Sequence, residues 1–133
     1  MGEDGWEQSL RRYLLTVWTE LSRYPGLGAF MMEQPGINVT SESWAAGVRF
    51  FEEAGFAGTS AHLALSFALT YTHGRLSVDA HLGHKPDSLR VKGIRARDYV
   101  EFGVEAVVSG LRTMLSDAGA VPNRRSRVLS EAG

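Results

Sequence analysis

The sequence predicts an all-α fold, an arrangement of about five helices, on two observations. Apolar residues recur at steps of three and four, the helical period, and no stretch alternates apolar with polar as a half-buried strand would. Two long segments, 60–82 and 97–117, contain no proline and are apolar on two stripes each, while every proline falls outside the periodic segments.

The first segment sets Trp6, Leu10, Tyr13, Leu14, Val17, Trp18 and Leu21 on one stripe and leaves Arg11, Arg12, Glu20 and Arg23 outside it. Tyr24-Pro25-Gly26 ends it, and Pro25 suits the first turn of a short helix from Gly26 to Glu33 that carries Leu27, Phe30 and Met31. Gln34-Pro35-Gly36 stops that helix. A third helix, about Ser41 to Ala54, has Asn38 and Thr40 as candidate N-caps and Trp44, Val48 and Phe51 as its stripe. Gly55 stands where a left-handed C-terminal cap is expected. The fourth helix runs from Thr59 or Ser60 to about Leu82. One of its stripes is Leu63, Phe67, Tyr71, Gly74 and Val78, the other Leu65, Leu69, Thr72 and Leu76. After a polar loop, Gly83 to Ile94, the fifth helix spans about Arg97 to Asp117. Val104, Val108, Leu111 and Leu115 form its main stripe; Gly103, Ala106 and Gly110 form a neighbouring stripe of small residues with Tyr99 and Phe102 beside it. From Gly119 the periodicity is lost, so residues 1–118 are expected to form one domain and 119–133 a disordered tail. A helix apolar on one stripe packs on its own domain, whereas one apolar on two needs a second surface, such as another subunit.

Composition narrows the function classes. A net charge of −1 gives no global attraction to nucleic acid or an acidic membrane, although residues 67–133 hold 10 Lys/Arg against 7 Asp/Glu. The basic stretch Lys85–Arg97 reads as a solvated loop. The absence of cysteine excludes disulfides, thiolate nucleophiles and Cys-ligated zinc, and fits a reducing cytoplasm. The acidic start, Met-Gly-Glu-Asp-Gly-Trp, lacks a signal-peptide pattern, and no apolar run has membrane-spanning length. The Asn38-Val39-Thr40 sequon is read as accidental in that setting.

Several short motifs follow one another in a telling order. They are a Trp-x-x-x-Leu start at Trp6, Arg-Tyr-Pro-Gly-Leu at 23–27, Ala-Gly-Phe closing a helix at 54–56, and a long helix with a central Gly74. Tyr-Val-Glu-Phe-Gly-Val at 99–104, leading into Gly110-Leu111, completes the series. From about Trp6 to Leu115 the chain resembles the C-terminal effector-binding and dimerisation domain of TetR-family transcriptional regulators. The resemblance implies a bacterial, cytoplasmic regulator whose last two long helices pair with those of a second subunit, and whose inducer lies between the helices. It also implies DNA contact only through a helix-turn-helix module, because a recognition helix must present side chains to the major groove and nothing in this chain does so. Whether the sequence is a fragment, a mis-started frame or a stand-alone domain is left open at this point.

The candidate sites follow. Trp18, Phe30, Met31, Trp44, Val48, Phe51 and Tyr71 are expected to surround a common interior, either as a filled core or as a pocket for an apolar or aromatic effector; the resemblance favours the pocket. Tyr71, Thr72 and His73 are candidate polar contacts. Phe67, Gly74, Val78, Tyr99, Phe102, Gly103, Ala106 and Gly110 are expected at a homodimer interface. His62, His73, His81 and His84 do not have the spacing of a known metal signature, so neither metal nor other cofactor is expected. No Ser-His-Asp spacing, phosphate-binding Gly-rich loop or nucleophile elbow is present, so the chain is expected not to be an enzyme. The alternative to an effector-sensing dimerisation domain is a structural helical homodimer without a ligand.

Overall fold

In a computed structural model, which describes residues 5–24, 26, 42–84 and 91–120 (backbone alone for 82–84 and 118–120), four α-helices follow one another. They are α1 (Gly5–Ser22), α2 (Glu42–Ala54), α3 (Thr59–His84) and α4 (Ala96–Ala120), and there is no strand among the described residues. The expected short helix from Gly26 to Glu33 lies outside the described residues, as do Asn38 and Thr40 and residues 121–133. α4 extends three residues past the Asp117 expected to end it.

Local chemistry accounts for the ends of the elements. α2 closes at Gly55, whose φ of 117° is a left-handed conformation that favours glycine. The Phe56 N–H then donates to the Phe51 carbonyl at 3.0 Å, and the Phe56 ring meets the Phe51 ring edge-on at 5.7 Å. Together these make a Schellman cap with its accompanying apolar contact. At the start of α4, the Asp98 carboxylate accepts from the Arg95 backbone N–H at 2.8 Å, the reciprocal half of a capping box.

α3 is the central helix. α1 packs against α3 and α4, α2 against α3, and α3 against α4. α1 runs parallel to α3: Trp6 meets Phe56 just before α3 begins, and Trp18 reaches Asp79 near its other end. It runs antiparallel to α4, because Glu7 pairs with Arg112 and Arg11 with Glu105. α3 and α4 are antiparallel in turn, with Arg75 lying over the Tyr99 ring and Gly55, ahead of α3, beside Leu115. The most deeply buried side chains are Leu14, Phe51, Thr72, Val100, Val108 and Leu111, so all four helices contribute to one continuous core, while Tyr13, expected on the buried stripe of α1, is 55% exposed.

Candidate functional site

Two regions answer to the expected sites: the interior between α1, α2 and α3, and the outer face of α3 and α4.

Trp18, Val48 and Phe51 belong to the continuous core, and Trp44 packs at its edge; Phe30 and Met31 lie outside the described residues. Phe51, 1% exposed, is held edge-on between Phe50 and Phe56. Such T-shaped contacts are the favoured aromatic geometry, and here they fill the space around the ring. The two tryptophans are anchored apart. The Trp18 indole N–H donates to Asp79 Oδ2 at 2.8 Å, and that of Trp44 donates to His62 Nδ1 at 3.1 Å. Their acceptors are seventeen residues apart on α3, about 25 Å along a helix that rises 1.5 Å per residue. The structure therefore places Trp18 and Trp44 toward opposite ends of α3.

Tyr71 faces α4. Its hydroxyl donates to the Val100 carbonyl at 3.4 Å, its ring occupies the space that a side chain at Gly103 would fill, and burial pushes its pKa above the usual phenol value. The structure thus joins Tyr71 with Gly103 at the seam between the two long helices. Thr72 is buried and its hydroxyl donates back to the Ala68 carbonyl. His73 differs from both: its Nδ1 is buried without a hydrogen-bond partner among the described residues, and burial holds its pKa below the usual imidazole value. An unpaired buried polar atom is costly, and buried polar groups are paired in nearly all native structures.

The outer face is built from the second stripes of α3 and α4. Phe102 is 80% exposed and Phe67 52%, and Leu63 and Val78 are also exposed. Gly74, Ala106 and Gly110 are exposed between these larger residues, and a Cβ added at Gly74 or Gly110 meets nothing within 4 Å. Tyr99 and Gly103 are half-buried, the first beneath Arg75 and the second beneath Tyr71. Of the charged residues of α3, Arg75 reaches over the Tyr99 ring of α4 and Asp79 meets Trp18 of α1.

The charged groups gather instead where α1 meets α4. Arg11 makes a two-pronged contact with Glu105 at 2.7 and 2.8 Å, and Arg112 donates to Glu7, which is 7% exposed. The Arg112 hydrogen bond holds the Glu7 pKa below the ordinary carboxylate value, and the Arg11 hydrogen bond does the same for Glu105. This cluster is a structural staple; sequence reading assigned it no role because the paired residues stand about a hundred positions apart.

No group of three or more His, Asp and Glu residues able to hold a metal converges among the described residues. No described helix is long and apolar enough to cross a membrane. No family model, curated protein or solved structure matches the chain.

Proposed function

We propose that this chain is the effector-sensing and dimerisation domain of a TetR-like regulator, pairing with a second copy through α3 and α4. The observation that carries the proposal is the outer face of those helices, with Phe67 and Phe102 exposed and Gly74 and Gly110 between the large side chains. An exposed mid-helix glycine costs roughly 0.5–1 kcal/mol relative to alanine. Among the described residues nothing offsets that cost, since an added Cβ at either position has open space around it. A helix approaching from outside does offset it, because small residues let helix axes come close. A second copy fits best: Phe67, Gly74, Phe102, Ala106 and Gly110 carry no charge, and a two-fold axis can set the large residues of one copy against the small ones of the other.

The effector is proposed to be apolar or aromatic and to lie beside α3. His73, whose buried Nδ1 has no hydrogen-bond partner among the described residues, supports a ligand that accepts or donates one hydrogen bond within apolar walls. Phe51 favours the second reading, a structural dimer with a filled interior, because its ring is already enclosed by Phe50 and Phe56.

Two measurements test these readings. Light scattering is expected to give twice the 14.6 kDa chain mass at micromolar concentration; a monomer throughout would sink the dimer. In a thermal-shift screen of apolar and aromatic compounds, a true effector is expected to stabilise the chain by about 2.7 kcal/mol at a hundredfold excess over its Kd. Its effect should shrink in His73→Phe. A screen without stabilising compounds leaves the structural dimer.

A further inference from the structure

A second group of residues crosses the molecule from α1 to α4. The Trp18 indole on α1 donates to Asp79 Oδ2 on α3. Asp79 Oδ1 accepts from Arg75 at 2.7 and 3.1 Å, one turn earlier on the same helix. The Arg75 guanidinium lies 5.4 Å from the centre of the Tyr99 ring on α4. The Tyr99 hydroxyl in turn accepts from the Val91 backbone N–H at 3.2 Å, which ties in the segment leading to α4. The Arg75 and Asp79 side chains are only 16% and 12% exposed, so this is a mostly enclosed ion pair beside a largely apolar core.

Such a pair is weak evidence for stability, because desolvation cancels much of its attraction, and its best-attested use is to fix one arrangement over others. The arrangement concerned here is specific. Tyr99 stands one turn before Phe102 and Gly103, so its setting against Arg75 contributes, beside the Tyr71–Gly103 contact, to how the exposed stripe of α4 lies beside that of α3. At the other end, Asp79 accepts from Trp18 on Oδ2 and from Arg75 on Oδ1, so a displacement of the indole bears on the carboxylate that positions the guanidinium.

We infer that the Trp18–Asp79–Arg75–Tyr99 chain links the setting of Trp18 on α1 to the pairing of the α3/α4 face with a second copy. This rests on the dimer reading above. The linkage is reciprocal: association of two copies alters the surroundings of Trp18, and loss of the Trp18 contact weakens association. Trp18 thereby becomes the point at which an event in the α1–α3 interior reaches the outer face.

The test uses the full chain. Trp18→Phe keeps an aromatic ring and removes the N–H, and Asp79→Asn removes the charge; neither residue lies on the exposed α3/α4 face. Sedimentation gives the monomer–dimer constant of each variant, with circular dichroism establishing that the subunits are helical. Both substitutions are expected to weaken dimerisation about fivefold or more, the lower end of typical coupling between sites. A residue that only stabilises each folded subunit would lower the denaturant midpoint and leave that constant alone. In a Trp6→Phe, Trp44→Phe background, Trp18 is the sole tryptophan, and its emission is expected to follow the dilution curve of the mass. Emission that stays fixed while the mass halves, or dimerisation constants that do not change, would overturn the linkage. A chain monomeric at all concentrations is recognised from mass alone; it refutes the dimer reading and, with it, the linkage.

Discussion

Gly103 shows how one atom decides a contact. The Tyr71 ring lies where a Cβ at position 103 would be, so α3 and α4 meet across a glycine rather than across two side chains. In Gly103→Ala the ring must swing aside, weakening its hydrogen bond to the Val100 carbonyl. Overpacking of this kind costs about 1–3 kcal/mol, against about 1 kcal/mol that alanine contributes as a better helix former. A net loss of about 1 kcal/mol is expected on these two magnitudes, measured by urea denaturation. In a Tyr71→Leu background the overpacking disappears and the same substitution should become stabilising. If Gly103→Ala destabilises equally in both backgrounds, the explanation fails. The sequence marked Gly103 as a small residue on a second stripe, but could not show that a side chain of its own subunit fills the space beside it.

At the scale of the elements, the staple between α1 and α4 governs the response to acid. Glu7 and Glu105 have folded-state pKa values lowered mainly by their arginine hydrogen bonds, from an ordinary value of 4.5. A group with a depressed folded pKa contributes stability that is fully present above its unfolded pKa and lost as pH falls through the folded one. The staple is therefore expected to hold at neutral pH and to fail below pH 4.5. His73 acts in a different window. Its pKa is lowered from 6.5 by burial, so the unfolded chain takes up a proton first and stability declines as pH falls from 6.5 toward the lowered value. Urea midpoints across this range should fall in two stages. Glu7→Gln should reduce the more acidic stage and His73→Phe the milder one; an unchanged profile in both variants would contradict the assignment. Sequence periodicity placed Glu7 and Arg11 on α1 and Glu105 and Arg112 on the last helix, but gave no sign that the two helices run antiparallel and side by side.

For the whole molecule, the exposed α3/α4 face raises the question of assembly. Its two glycines permit a clear distinction, because Gly110→Ala should make the monomer more helical while crowding a partner. The expected outcome is a rise in monomer stability of about 0.5–1 kcal/mol together with weaker dimerisation. Gly110→Arg and Ala106→Glu should abolish dimerisation by placing a charge at a close helix contact. Sedimentation reads both effects. A Gly110→Arg chain that still dimerises would move the interface elsewhere.

Periodicity alone determined the all-α class, the approximate bounds of the four described helices, the Gly55 cap and the two-striped nature of the last two, because these depend on residues only three or four positions apart. Only the tertiary structure decided which stripe of each long helix is covered. It buried Thr72, Val104, Val108 and Leu111 against α1 and the partner helix, and left Phe67 and Phe102 outside. It also gave residues that the sequence had grouped different hydrogen-bond and packing partners, Trp18 with Asp79, Trp44 with His62, and Tyr71 with Gly103. The reason is physical. A helical stripe fixes which side chains share a face, but the partner each one meets is set by the order and direction in which the helices stack, and that depends on contacts between residues far apart in the chain.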